Sequence, residues 1–445
     1  MARRPRYVVA RPVNRPFEAR TAEIEIERLG ARGDGIGSFN GTPVFIPLTL
    51  PGEKVLARIE GKRGDGFTAS VIEWLVQAPD RAKPACKHFG ICGGCSVQHV
   101  MDSRYVAWKR GIAVQALGRV GVAESLIAPL MRVPQGTRRR ASFAFKKTRE
   151  GMLLGFHARA THQIVDLQEC PLLVPALVAA LPLLRQSLAT LFPDPVHGDL
   201  AVLSTESGLD VLIMTDAPLD LFKRECLAQL VHQPGFARFS WQSQGETDAE
   251  TVAEAHPPQV VLGGFPVLPP PGAFLQPSKE GEAAITAQVA SGLAGIEGPL
   301  LDLYSGIGSF TLPLAATHRV HAVEGNAQAA ATLKRLGEKF SLSRLCVECR
   351  DLASRPLATR ELDKFSGVVI DPPRTGAREQ MIELAITQNI QRVVLVSCNP
   401  ATLARDLSIL LENRWHLDSV VPIDQFLWAP HLEMTAQLHR TITNS

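Results

Sequence analysis

A chain of 445 residues, 45% apolar and 20% charged, has the makeup of an ordinary globular protein, and about 100–200 residues per domain gives it room for roughly two to four domains. No apolar run approaches the ~20 residues of a membrane helix, so no membrane partner is expected. With a net charge of only +3 the global field cannot attract nucleic acid, and any such affinity must come from local clusters.

The first such cluster opens the chain. Residues 1–17 carry Arg3, Arg4, Arg6, Arg11 and Arg15 with no acid before Glu18. Pro5, Pro12 and Pro16 break any amphipathic helix there, so residues 1–14 read as a disordered basic arm. The apolar core of a secretory signal is missing. Eight cysteines, three of them within ten residues, then point to a reducing, cytoplasmic setting, where a cysteine cluster more often means metal or catalysis than disulfides.

From Ala22 to Val76, apolar and polar residues alternate (Ile24, Ile26; Val44, Ile46; Val55, Ala57, Ile59) between glycine turns. This pattern predicts a small antiparallel β-barrel, OB-like, over that stretch. Such barrels often bind oligonucleotides, and a purely structural barrel is the alternative. After a linker at Pro79–Pro84 come Cys86, Cys92 and Cys95, with five and two residues between them. Cys170 is the best fourth ligand. Spacing alone leaves zinc and an iron-sulfur cluster open, and structural zinc is the commoner.

Residues 101–130 carry a helical pattern. Next comes the second basic cluster, Arg132, Arg138, Arg139, Arg140, Lys146, Lys147 and Arg149, with Phe143 and Phe145 alternating into a strand. That combination suits RNA backbone contact plus base stacking, or else a solvated face. Residues 172–262 mix helix with short strands, and Pro269-Pro270-Pro271 closes a central α+β domain spanning 78–270.

The pattern then changes to strand, glycine turn, helix and strand, which predicts a doubly wound, Rossmann-like sheet over 271–445. The first strand, Leu300–Leu303, runs into Gly306 and Gly308, and Thr311 stands where a dinucleotide fingerprint needs its third glycine. Glu324 ends the second strand, where a carboxylate can take both hydroxyls of a ribose. Asp302, the glycine pair and Glu324 together resemble the S-adenosylmethionine site of Rossmann-like methyltransferases. Cys346 and Cys349 fall in the same sheet without a partner pair and read as structural.

Two later strands end in reactive groups. Val393–Val396 meets Ser397-Cys398-Asn399-Pro400, and Val368–Ile370 meets Asp371-Pro372-Pro373-Arg374, which places both ends at the ligand-binding edge of one sheet. Taken alone, a strand-end cysteine is more often a small core residue than a nucleophile. Beside a methyl donor, its thiolate can add to carbon 6 of a uracil and make carbon 5 nucleophilic. Glu433, in His431-Leu432-Glu433-Met434, is a carboxylate that can fold back to remove the carbon 5 proton, although a surface acid is an equal reading without further context. Asp371 either holds the uracil's polar edge or orients the site.

These stretches, with Thr137-Arg138-Arg139-Arg140, Gly155-Phe156-His157, Ile164 to Pro171, Phe274-Leu275-Gln276 and Ala401 to Asp406, resemble the RNA uracil-5-methyltransferases that carry a TRAM domain and an iron-sulfur cluster. The resemblance implies a [4Fe-4S] cluster on Cys86, Cys92, Cys95 and Cys170, in place of zinc. It implies Cys398 as nucleophile, Glu433 as base, and S-adenosylmethionine against Gln276, Tyr304, Glu324 and Asp371, with Asp351 near the adenine. It makes residues 15–77 a TRAM barrel and the enzyme a monomer acting on RNA. Ribosomal 23S RNA is favoured over transfer RNA. Ser278 and Ser309 stand where the family often has Asn, which puts a cofactor hydrogen bond in doubt. Two rivals are an amino-methyltransferase built on Asp371-Pro372-Pro373-Arg374, which needs no cysteine, and a non-catalytic RNA-binding iron-sulfur module.

Overall fold

The computed structural model describes residues 17–243 and 245–440. The expected basic arm at 1–14 lies outside them. The described residues form two compact units, divided between Ala82 and Lys83.

The first unit is built from β1 (Arg20–Glu25), β2 (Arg28–Leu29), β3 (Gly35–Phe39), β4 (Thr42–Ile46), β5 (Lys54–Arg63) and β6 (Gly66–Val76), in one sheet ordered β1-β5-β6-β4-β3-β2. The alternation read from the sequence becomes its core: Ile24, Ile26, Val44, Ile46, Val55, Ala57 and Ile59 are buried. The sheet is not purely antiparallel as expected. β4 pairs in parallel with β6 through Val44 and Phe67, because β5 lies between them in sequence and two chain reversals restore the original direction.

The second unit opens with α1 (Asp102–Gly118) and β7 (Met131–Arg132). A seven-stranded sheet follows, made of β8 (Arg140–Thr148), β9 (Gly151–His157), β10 (Ile164–Asp166), β11 (His197–Thr205), β12 (Gly208–Thr215), β13 (Phe236–Ser243) and β14 (Glu250–Glu254), ordered β10-β9-β8-β11-β12-β13-β14. Helices α2 (Pro175–Leu191) and α3 (Leu221–Leu230) bury Leu177, Leu181, Leu184, Leu188 and Leu227 in the same core as this sheet, on a three-to-four-residue repeat. Phe143 and Phe145 lie in that core with no exposed surface. They therefore cannot stack on RNA, which corrects the reading of the basic segment. Alternation on β8 points them inward.

After the β15 (Val260–Leu262) and β16 (Phe265–Val267) ribbon comes α4 (Lys279–Gly292). The last sheet contains β17 (Leu300–Leu303), β18 (Val320–Glu324), β19 (Leu345–Cys349), β20 (Gly367–Ile370), β21 (Arg392–Ser397), β22 (His416–Asp424) and β23 (Glu433–His439). Helices α5 (Thr311–Ala315), α6 (Ala327–Lys339), α7 (Thr359–Leu362), α8 (Arg378–Ala385) and α9 (Pro400–Leu411) connect them. The order is β19-β18-β17-β20-β21-β23-β22-β7. Neighbours from β19 to β21 are parallel, and β23 runs antiparallel to β21 and β22. Strands β17 and β20 are buried at every residue, as a sheet covered on both faces requires.

The order reverses between β17 and β20, which opens a crevice at the carboxyl ends of those strands. β7 pairs with the end of β22 and α1 shares a core with α9. Residues 102–132 thus pack with the last sheet, although the expected 78–270 division assigns them to the central domain.

Candidate active site

The reactive ends meet at the carboxyl ends of β20 and β21 and the amino end of the antiparallel β23. The β21/β23 pairing runs from Arg392↔His439 to Ser397↔Met434, so Cys398 and Glu433 are the next cross-strand neighbours in that register. Cys398 sits between the strand and α9. Asn399 caps the helix, accepting from the Ala401 N–H at 3.1 Å, and Pro400 occupies its first turn. The nucleophile candidate is thereby fixed at a helix start, where the backbone favours an anion.

Burial, reinforced by Glu433 and Asp371, raises the Cys398 thiol above its ordinary value, while Arg374 pulls it down. Burial also raises the Glu433 carboxyl, and Asp371 adds to that rise. Asp371 is deep in the protein yet partly open to solvent, and burial raises it in turn. Two carboxyls that disfavour each other's charge therefore flank one thiol, and such mutual perturbation is common at catalytic sites.

The donor side lies one and two strands away. Gly306 and Gly308 adopt φ of 57° and 102°, which lets the backbone turn closely over the strand end. Tyr304 also has a positive φ, 63°, uncommon for an aromatic residue and held by its N–H to Val323 O at 2.9 Å. Glu324 accepts from the Gly306 N–H at 2.8 Å and the Asn326 N–H at 2.7 Å. A carboxylate has about four lone-pair sites, so two remain for ribose hydroxyls. Asp351 is exposed and accepts from Ala353 and Ser354, and its charge reaches Tyr304.

Below this edge Asp302 is fully buried. One of its carboxyl oxygens accepts from Thr311 and the other has no hydrogen-bond partner among the described residues. Burial pushes its carboxyl up to about 7. A glycine turn, a half-free carboxylate and an orphaned acceptor on adjoining strand ends make a cradle suited to a nucleoside carrying an amino-acid tail.

Gln276 joins the two sides. Its Nε2 donates to Asp371 Oδ2 at 3.3 Å, and its Oε1 accepts from Gln425 Nε2 at 2.8 Å. The arginine triplet holds the backbone around it: Arg139 Nε donates to Gln276 O and Arg140 Nη1 to Leu275 O, while Arg139 pairs with Glu282 at 2.7 Å. Arg139 is buried and Arg138 and Arg140 are half-buried, so the triplet is not a solvated face, and Arg139 and Arg140 form a clamp on residues 275–277. Phe274, beside it, is 63% exposed with the Arg140 guanidinium 4.6 Å from its ring centre. Ser278 caps α4 by accepting from the Gly281 N–H, and Ser309 lies 3.4 Å from Glu282. Ser278 is thus spent on the fold.

Sequence reasoning passed over Gln425, the clamp role of Arg139, and Lys109 with Asp424. Arg139 did carry a signal, since an arginine run that also alternates into a strand must bury some of its members. Gln425 carried none.

The cysteines lie where two loops are zipped together. The Cys86 N–H donates to the Gln98 side chain, Lys87 N–H to Glu169, Gln168 N–H to His88, and Gly93 N–H to His157 O at 2.9 Å. Burial raises Cys86, Cys92 and Cys95, each feels the charge of Cys170, and Arg138 faces Cys170 and Cys95. Among the described residues no three metal-binding side chains converge tightly enough to share one ion. Cys346 and Cys349 are exposed on the edge strand β19 and support no core, contrary to their structural reading.

Comparison with known proteins places the chain as a whole. Residues 270–441 match the tRNA (uracil-5-)-methyltransferase family and residues 17–64 the TRAM domain. An RNA methyltransferase of Brucella melitensis is 41% identical over 94% of this chain and 98% of its own. The 23S rRNA (uracil(1939)-C(5))-methyltransferase of Vibrio vulnificus is 31% identical over 94% and 96%. The crystal structure of Pyrococcus abyssi tRNA (uracil-54, C5)-methyltransferase with S-adenosyl-L-homocysteine shares the fold, with a TM-score of 0.70 at 22% identity over 94% of this chain and 100% of that one. With relatives matched along nearly their whole length, the chain belongs to the RNA (uracil-5-)-methyltransferase family.

Proposed function

We propose that this enzyme methylates carbon 5 of a uridine in 23S ribosomal RNA, with Cys398 as nucleophile and Glu433 as base. The observation that carries the reading is their register: a thiol just past the end of β21 and a carboxyl at the start of β23 are neighbours, with Asp371 just after the adjoining strand β20. The Cys398 sulfur, as thiolate, bonds to carbon 6, and the displaced π pair makes carbon 5 an enolate-type nucleophile. S-adenosylmethionine supplies an electrophilic methyl on sulfur. Carbon 5 bonds to that methyl, and the electron pair of the broken bond stays with the donor's sulfur. Glu433 then takes the proton from carbon 5, the pair restores the double bond, and the Cys398 thiolate leaves.

Gln276, Tyr304, Glu324, Asp351 and Asp371 hold the donor in this reading, with Glu324 on the ribose. Phe274, exposed and backed by Arg140, offers an aromatic face to a base lifted out of its stack. The ribosomal target is supported by the likeness to the Vibrio enzyme. The family model, named for transfer RNA, supports the second reading, a tRNA substrate. Incubating the enzyme with labelled donor and either 23S rRNA or tRNA transcripts is expected to place 5-methyluridine in the ribosomal RNA alone. Label confined to tRNA would reverse the assignment.

The four thiols, with Arg138 to offset negative charge and the Gly94 N–H facing Cys92 sulfur at 3.4 Å, suit a [4Fe-4S] cluster, which four cysteine thiolates commonly hold. Cys86, Cys92, Cys95 and Cys170 are its ligands in this reading. Anaerobic purification is expected to yield a brown protein with a broad visible absorption band. A colourless protein carrying stoichiometric zinc would overturn the cluster.

A further inference from the structure

Gln425 follows β22 directly and is 6% exposed. Its Nε2 donates to Glu433 Oε2 and to Gln276 Oε1, both at 2.8 Å. Both amide protons are used. The network favours this orientation, because a flipped amide would set its own oxygen against the Glu433 carboxylate and Gln276 Oε1. On the other side Oε1 lies against α4, where a Cβ on Gly281 would come within 2.5 Å of it, so only glycine leaves the amide room. With Gln276 donating on to Asp371, an unbroken chain runs Glu433–Gln425–Gln276–Asp371 from the base to the donor pocket.

We infer that Gln425 is a positioning residue that holds Glu433 in its proton-accepting orientation and ties that orientation to the donor-side residue Gln276. The inference rests on Glu433 being the base. The charged and titratable groups facing Glu433 are Asp371 and Arg374 after β20 and Cys398 after β21. Asp371 and burial disfavour the carboxylate; Arg374 and the Gln425 amide favour it. A donor that meets only the carboxylate oxygen strengthens it as an acceptor and fixes which oxygen is free to meet the carbon 5 proton.

The test uses the full-length enzyme, RNA substrate and two variants of nearly unchanged volume. Gln425→Met removes both donors from an unbranched side chain, and Gln425→Glu replaces them with a second carboxyl. Proton acceptance needs ionised Glu433, so activity falls as pH drops through its pKa. The acid limb of the pH–rate profile is expected to move to higher pH in Gln425→Met and further in Gln425→Glu. In Gln425→Met kcat should fall about 10- to 100-fold, less than the ~10²–10⁴-fold ascribed to a general base itself because Gln425 only positions it, with KM for RNA little changed. The methylated adduct, whose breakdown needs the base, should accumulate as a denaturant-stable protein–RNA species.

Glu433→Gln is the reference and should accumulate the same adduct. If it does while both Gln425 variants keep the wild-type limb and show no adduct, Gln425 is merely structural and the inference fails. If Glu433→Gln accumulates no adduct, the base assignment fails and this inference falls with it. Should Gln425→Met not fold, the limb of Gln425→Glu decides.

Discussion

Cys398→Ala is expected to abolish methyl transfer, by at least about 10⁴-fold in kcat, the scale on which loss of a covalent nucleophile is felt. The structure gives reasons to expect a clean result. The side chain is half-buried, and capping of α9 belongs to Asn399 and Pro400 rather than to the thiol. Removing one sulfur should therefore leave the fold and the binding of S-adenosylhomocysteine intact. An RNA bearing 5-fluorouridine at the target provides a second readout. Fluorine cannot leave carbon 5 as a cation, so the wild type should stall as a covalent complex that survives denaturation. Cys398→Ala should form none. If the variant still methylates at more than a few per cent of the wild-type rate, attack on carbon 6 by sulfur is not the mechanism, and a route in which Asp371 and the prolines act alone regains ground.

The C-terminal fold was legible because its signals are local. Short apolar runs followed by glycine or proline turns, leucine-rich in β17 and β-branched in β20 and β21, define these strands, and two-sided burial favours that composition. The same logic exposed Cys398 and Asp371, since a strand that stops at proline presents its last side chain. Glu433 was harder. Its neighbourhood depends on β23 running antiparallel to β21, and a carboxylate near the end of a chain does not announce its register.

The partners of Gln425 and Arg139 lay beyond sequence reasoning for a different reason, although the burial of Arg139 was legible. The two residues act through hydrogen bonds to residues 8 and 143 positions away, and no periodicity encodes such pairs. Phe143 and Phe145 show the converse error. An aromatic residue between arginines suggests stacking on a base, but alternation on β8 buries both rings while the arginines turn to residues 275–277.

Lys109→Met is expected to cost about 3–5 kcal/mol, the penalty for stranding one member of a buried ion pair. Lys109 and Asp424 are both fully buried and 2.9 Å apart. Burial lowers the lysine's pKa and Asp424 pulls it back up. Lys109 Nζ also donates to Phe426 O at 2.9 Å and Ala429 O at 2.6 Å, and the Tyr105 hydroxyl bridges Asp424 to the Trp428 N–H. These contacts fasten the loop from Gln425 to His431, which leads into Glu433. The same loop accepts Ser96 and Val97 N–H at Trp428 O, just after Cys95. Without the lysine, Asp424 is left charged in the interior and two carbonyls lose their donor, so the loop should loosen as the fold weakens. Thermal unfolding should show a lowered midpoint, and methyl transfer should fall even at temperatures where the variant stays folded. The charge argument has its own control, because Lys109→Met combined with Asp424→Asn leaves no unpaired ion and keeps an acceptor for Tyr105. Part of the stability should return in the double variant. Activity should not return with it, since the carbonyls of Phe426 and Ala429 still lack their donor. A double variant no more stable than the single one would mean that Lys109 acts through packing rather than through charge.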